Sequence, residues 1–154
     1  MLAIYVDADA CPVKEEIFRV ALRHNLQVYL VSNSRLNMVV DKNVHKIQVE
    51  SDSDAADNWI EEHIETGDIV VTIDILLAER CLKKGASVMG STGKVFNYDN
   101  IGLAKAMRDL RTHLRETGVA PSYNAPFSKR DRSRFLQALE EMIQTIKRHF
   151  SDKL

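Results

Sequence analysis

The sequence predicts an α/β fold in which helices flank a mainly parallel sheet, with further helices at the C-terminal end. Short apolar runs of strand length recur at residues 3–6, 27–31, 44–49 and 69–73; the segments after the first and third runs repeat their apolar residues at helical spacing, and the stretch after the second is less regular. The runs end on clusters of Asp, Ser and Asn rather than on two-residue hairpin turns. With 154 residues, 45% of them hydrophobic, residues 1–154 suffice for one domain with its own core.

The opening run stops on Asp7 and Asp9, and Pro12 suits the first turn of a helix because its missing N–H would have no partner there. In open α/β sheets ligands bind outside the carboxyl ends of the strands. Two carboxylates at that edge repel each other until a shared proton or a cation offsets the repulsion, and a divalent metal is the simplest resolution. Val13, Ile17, Val20 and Ala21 form one face of the first helix, which should end near His24-Asn25. The second run leads into Ser32-Asn33-Ser34-Arg35, a polar cluster at the same kind of edge. After the third run, acids and serines crowd residues 50–54 before a helix whose stripe is Ala56, Ile60 and Ile64. Asp52 and Asp54 suit capping or dipole roles, whereas Asp57 lies on the inward side and needs a partner.

The strongest strand signal, residues 69–73, stops on Asp74, which can cap the next helix as well as face the ligand edge. That helix is expected to carry Leu76, Leu77, Arg80 and Cys81. A short strand follows at 87–90, a turn at 90–93 and an extended piece at 94–96. Asn100 is placed to cap a long helix with Ile101, Leu103, Ala104, Met107, Leu110 and Leu114 as its apolar stripe, and Arg108, Arg111 and Arg115 on a different face. Residues 119–127 hold two prolines without periodicity and predict a loop. Ser128 and Asp131 have capping-box spacing, and the last helix bears Phe135, Leu139, Met142 and Ile146.

Charge is unevenly distributed. Residues 1–100 carry 10 Lys/Arg against 16 Asp/Glu, whereas residues 101–154 carry 11 against 6. An acidic body with a basic tail suits a metal-dependent enzyme acting on a polyanion, although two ordinary solvated surfaces would give the same tally. Asp7, Asp9, Asp57 and Asp74, with Asp54 as a weaker member, should converge at one edge. Such an oxygen-only set suits one or two Mg²⁺ or Mn²⁺ ions rather than Zn²⁺. Lys129, Arg130, Arg132 and Arg134 cluster around the start of the final helix, where guanidinium groups and a helix N-terminus favour phosphate. Together with Ser32, Asn33 and Arg35, residues Lys129, Arg130 and Arg132 are candidate contacts to RNA or single-stranded nucleic acid. For Arg132 a structural pairing with Asp131 is an equal expectation.

No phosphate-cradling glycine loop or dinucleotide fingerprint is present, and no apolar stretch is long enough to span a membrane. The first residues lack the pattern of a signal peptide, so the expected location is the cytoplasm. Cys11 and Cys81 have no metal-ligand spacing and are expected to be reduced thiols near strand ends; Cys11 has no His nearby in sequence to activate it.

The sequence Asp7-Ala8-Asp9-Ala10-Cys11-Pro12-Val13-Lys14 opens a set of motifs that continues with Val31-Ser32-Asn33-Ser34, Asp54-Ala55-Ala56-Asp57, Val71-Thr72-Ile73-Asp74 with Leu77-Ala78, and Pro126-Phe127 with Asp131-Arg132 and Phe135. These residues resemble the YaiI/YqxD family of uncharacterised bacterial proteins over nearly the whole chain. One segment departs from the family pattern: Ser122-Tyr123-Asn124-Ala125 stands where a glycine and a proline usually precede the Pro-Phe pair. The family is in turn similar to PIN-like domains, so the resemblance implies a three-layer PIN-like fold. It also implies Mg²⁺- or Mn²⁺-dependent cleavage of nucleic acid by acids at the carboxyl ends of strands.

Three functions are therefore weighed. Metal-assisted phosphodiester hydrolysis would use Asp7, Asp9, Asp57 and Asp74. A haloacid-dehalogenase-like phosphatase would use Asp7 as nucleophile and Asp9 as its acid/base partner, leave an acid-stable phosphoenzyme, and want an acidic pair near the last strand, where Thr72 stands four after Asp68. A non-enzymatic module would bind RNA or protein and keep a metal for structure.

Overall fold

The computed structural model describes residues 2–52, 54–118 and 127–152. Strands β1 (Ala3–Asp7), β2 (Gln27–Ser32), β3 (Val44–Gln48), β4 (Ile69–Val71), β5 (Ser87–Met89) and β6 (Val95–Phe96) form one sheet in the order β3-β2-β1-β4-β5-β6. All pairs are parallel except β5 with β6. The helices are α1 (Lys14–His24), α2 (Ala55–His63), α3 (Ile75–Lys83), α4 (Ile101–Glu116) and α5 (Lys129–Asp152), and a 3-10 turn at Ala8–Ala10 follows β1. This is the three-layer α/β arrangement expected of a PIN-like fold. The chain winds outward from β1 to β3, returns to β4 beside β1, and winds outward again, so β1 and β4 flank the switch point where open α/β sheets form a ligand crevice.

Alternation along the strands assigns the two faces. Ile4, Val6, Val28, Leu30, Ile69 and Val71 pack with Val13 just before α1, with Ile17, Val20 and Ala21 of α1 and with Phe135, Leu139 and Ile143 of α5. Tyr5, Val31, Val70 and Val88 pack with Ala56 and Ile60 of α2 and Leu77, Ala78 and Cys81 of α3. Asp7 follows Tyr5 by two residues, so it belongs to the face that carries α2 and α3. α1 ends at Asn25, whose left-handed backbone (φ 56°) suits an Asn cap.

Four expectations shift. β4 ends at Val71 rather than running to residue 73, because Thr72 Oγ1 accepts the Asp74 N–H at 3.0 Å, bending the chain and leaving Ile73 exposed. α3 buries Leu77, Ala78, Cys81 and Leu82, so Leu76 is turned outward. Asn100 does not cap α4 with its side chain; it accepts from Asn97 N at 2.9 Å and donates to Val95 O at 2.9 Å, fixing the β6–α4 connection instead. The apolar stripe of α4 is largely uncovered, with only Ile101 buried. The capping box is as expected, Ser128 N donating to Asp131 Oδ2 at 3.0 Å and Asp131 N to Ser128 Oγ at 3.1 Å. The loop expected over 119–127 lies, apart from Phe127, outside the described residues. No helix among the described residues is long and apolar enough to cross a membrane.

Candidate active site

Asp7 ends β1 at the switch point and is only partly exposed. Its Oδ2 accepts the Thr72 hydroxyl at 3.0 Å, while Thr72 Oγ1 accepts the Asp74 N–H at 3.0 Å. One buried threonine at the end of β4 thus joins the two carboxylate positions across the crevice. Asp74 also caps α3, its Oδ1 accepting Leu76 N at 2.9 Å and Leu77 N at 3.4 Å, which holds the carboxyl in place. Asp57, in the first turn of α2, reaches the same carboxyl: protonated, it hydrogen-bonds to Asp74.

Burial, then the charges of Asp74 and Asp7, raise the Asp57 carboxyl from 3.8 to about 7, against the opposing pull of Arg80. Burial is also the main cause of the raised Asp7 carboxyl; the Thr72 hydrogen bond opposes it, and the charges of Asp74 and Asp9 add to it. Asp7, Asp57 and Asp74 are therefore three acids in one electrostatic neighbourhood, and a proton on Asp57 relieves their repulsion.

Asp9 is exposed and held toward β2, accepting the Ser32 hydroxyl in a short hydrogen bond and Asn33 N at 2.9 Å. Ser32 Oγ in turn accepts Ser34 N at 2.9 Å, and Asn33 Nδ2 reaches Asp52 O at 3.4 Å. The Ser32–Asn33 turn thus positions Asp9 beside the three-acid group. Asp54 is exposed at the start of α2 and makes no side-chain cap, whereas Asp52 Oδ1 accepts Asp54 N at 3.3 Å. Arg35 is exposed in the loop after β2.

Asp68 stands at the other end of β4 from this group, accepting Ala3 N at 3.0 Å and Glu65 N at 2.9 Å, so it offers Asp7 no second carboxylate. Both cysteines are free and buried, and burial pushes the Cys11 thiol up to about 11 and the Cys81 thiol up to about 12, where neither is a ready nucleophile.

At the start of α5, Lys129 and Arg130 are exposed, while Arg132 lies against the first helix. Arg132 Nη1 donates to Pro12 O at 2.7 Å and to Glu16 Oε1 at 3.1 Å, and its guanidinium covers the Phe127 ring at 5.0 Å. Arg132 therefore meets Glu16 rather than Asp131. Glu16 is buried and its Oε2 has no partner among the described residues, so Arg132→Ala should strand a charge and cost about 1–3 kcal/mol. Chemical denaturation measures this, and adding Glu16→Gln should recover part of the loss.

Sequence reasoning missed Thr72 as a site residue. The Thr-x-Asp spacing at a strand end is its signal, since a threonine hydroxyl readily accepts the N–H two residues on.

The donor chemistry fits a hard divalent cation, because Asp7, Asp57 and Asp74 offer oxygen only, and burial with the neighbouring carboxylate charges raises Asp7 and Asp57. Among the described residues no group of three or more His, Cys, Asp or Glu side chains is arranged to hold an ion outright. Mg²⁺ does not need such a cage, since one or two carboxylates with waters and a substrate phosphate suffice.

A mostly parallel six-stranded sheet with helices on both faces and a switch point between β1 and β4 defines the class of open α/β proteins. Within it, the chain belongs to the uncharacterised bacterial YaiI/YqxD family, whose profile matches residues 5–145. It is 54% identical over 145 residues to a UPF0178 protein of Rhizobium meliloti, covering 94% of this chain and 99% of the relative. A UPF0178 protein of Rhodospirillum rubrum is 53% identical over 148 residues, covering 96% and 99%. No solved structure matches the chain significantly.

Proposed function

We propose that this protein is a nuclease dependent on Mg²⁺ or Mn²⁺, hydrolysing phosphodiester bonds in RNA or DNA at the Asp7–Asp57–Asp74 group. The observation that carries this reading is the gathering of Asp57 with Asp74 and Asp7 at the switch point: burial first, then the charges of Asp74 and Asp7, raise the Asp57 carboxyl to about 7, and a cation would offset the same repulsion that the proton does. Asp7 and Asp74 would hold one ion, with Asp57 completing the group on losing its proton and Asp9 and Asp54 available to a second. A bound cation supplies positive charge where phosphodiester cleavage develops negative charge.

The chain's own groups do the rest. The Thr72 hydroxyl and the α3 N-terminus fix the orientations of Asp7 and Asp74, and the Ser32–Asn33 turn fixes Asp9. An acidic edge alone would repel a phosphate backbone, so Lys129 and Arg130 on α5 and Arg35 after β2 are read as the cations that hold the strand nearby, with Arg132 tying α5 to α1.

The test is cleavage of a labelled single-stranded RNA by the full chain with Mn²⁺. The native protein should cleave, and Asp7→Asn, which keeps an acceptor for Thr72, should lower the rate by about 100-fold or more with an unchanged fold by circular dichroism. Equal cleavage by the two proteins would mark the activity as contamination and overturn the reading in favour of a binding module. An acid-stable phosphate on Asp7 would instead favour a phosphatase.

A further inference from the structure

The apolar side of α4 is left open. Leu103 is 69% exposed, Leu110 49% and Met107 40%. Leu103 and Met107 line a cleft of about 570 Å³ whose remaining wall includes Phe96 and the 90–92 segment. Ile73 and Ile75, the chain neighbours of Asp74, line it as well, so the cleft borders the segment that carries Asp74. The three arginines expected on a separate helix face share this cleft: Arg108, Arg111 and Arg115 line it with Lys94, and among the described residues no Asp or Glu does. Arg108 pairs with Asp109 and Lys94 sits over the Phe96 ring at 5.4 Å, while Arg111 and Arg115 form no ion pair among the described residues.

Lys94, Arg111 and Arg115, with no acid in the lining to pair them, select a polyanion. The apolar side chains beside them select one that also presents flat, weakly hydrated faces. Single-stranded nucleic acid has both, because its phosphates are exposed and its base faces are free to pack. A duplex hides those faces in its stack, and a recessed cleft does not match the plane of an anionic membrane.

We propose that the α4 cleft binds a single-stranded nucleic-acid segment, with Arg111 and Arg115 on its phosphates and Leu103 and Met107 against its bases, and directs it to the carboxylate edge. This deepens the nuclease reading and rests on it for the strand's destination. The binding surface lies on a helix for which the sequence predicts an apolar stripe with the arginines on a different face.

Binding is measured by fluorescence anisotropy with the full chain and a labelled single-stranded RNA of about 12 nucleotides, in EDTA so that no cleavage intervenes, across a salt series. Arg111→Ala with Arg115→Ala should weaken binding about tenfold or more and make the slope of log affinity against log salt shallower by about 1.4, at about 0.7 per phosphate contact. Leu103→Ala with Met107→Ala, at exposed positions the fold does not need, should weaken binding severalfold and leave the slope unchanged. Native affinity and slope in the double arginine variant overturn the proposal. So does tighter binding to duplex RNA of the same length, or to vesicles containing anionic lipid, that the same variant abolishes. If the native chain binds through α4 but shows no Asp7-dependent cleavage, the nuclease reading fails and the cleft stands as a nucleic-acid site. If cleavage depends on Asp7 while the arginine variant binds as the native chain does, the cleft proposal alone fails.

Discussion

Phe135→Ala should destabilise the protein by about 3–5 kcal/mol, the usual range for removing a fully buried aromatic ring. Phe135 is 0% exposed and packs in the cluster that holds Ile4 and Val6 of the central strand with α1 and α5. The lost ring leaves a void between a sheet and two helices, and parallel strands held on both sides cannot collapse easily to fill it. Urea denaturation should show a large fall in midpoint with the slope retained. Leu110→Ala, at a half-exposed position on α4, is the control and should change stability by no more than about 0.5 kcal/mol. A loss under about 1 kcal/mol for Phe135→Ala would mean that α5 does not seal this face.

The second large effect is a pH dependence. The folded-state carboxyl of Asp57 lies near 7 against an ordinary 3.8, so between these values the folded chain binds a proton that the unfolded chain has lost. A raised acid stabilises the folded state relative to higher pH: its contribution is fully present below about 4 and is lost as pH rises to about 7. After discounting for partial solvent exposure, about 1–2 kcal/mol should disappear across that window. Asp7, also raised mainly by burial, acts in the same direction, so Asp57→Asn should reduce the slope without abolishing it. Thermal melts from pH 4 to 8 measure this, and Mn²⁺ should restore stability at the upper end by replacing the lost proton. A native melting profile that rises from pH 5 to 7 and is unchanged in Asp57→Asn would contradict the acid grouping.

What was legible in the sequence follows from what each residue's role depends on. β1, β2 and β4 could be read because parallel strands buried on both faces keep nearly continuous apolar runs. The α1 and α5 stripes could be read because both helices meet the sheet. The α4 stripe has equally good periodicity, yet periodicity reports a helix with two unlike sides and not whether anything covers the apolar one. Asp7, Asp9 and Asp74 were visible as strand-end acids. Thr72 was not, because its role exists only where β4 returns to lie beside β1, a pairing between distant segments. The inward place of Asp57 on its helix calls for a partner, but that the partner is Asp74 follows from α2 and α3 packing on the same face. Arg132 shows the converse: the candidate partner nearest in sequence was Asp131, and the fold supplies Glu16 instead.

The parallel docking of α5 along α1 has a consequence for how the chain is made. Arg132 meets Pro12 and Glu16 near the start of α1, and Glu140 meets Arg23 and His24 at its end, so α5 lies along a helix made more than a hundred residues earlier. Until α5 leaves the ribosome, the apolar side of the central strands that it covers stays open, and the order of synthesis cannot be the order of completion. Such contacts between segments far apart in sequence close slowly because loop entropy must be overcome first. A nascent chain halted before Phe135 should therefore be a target for chaperones and proteases, even though it already carries Asp7, Asp57 and Asp74.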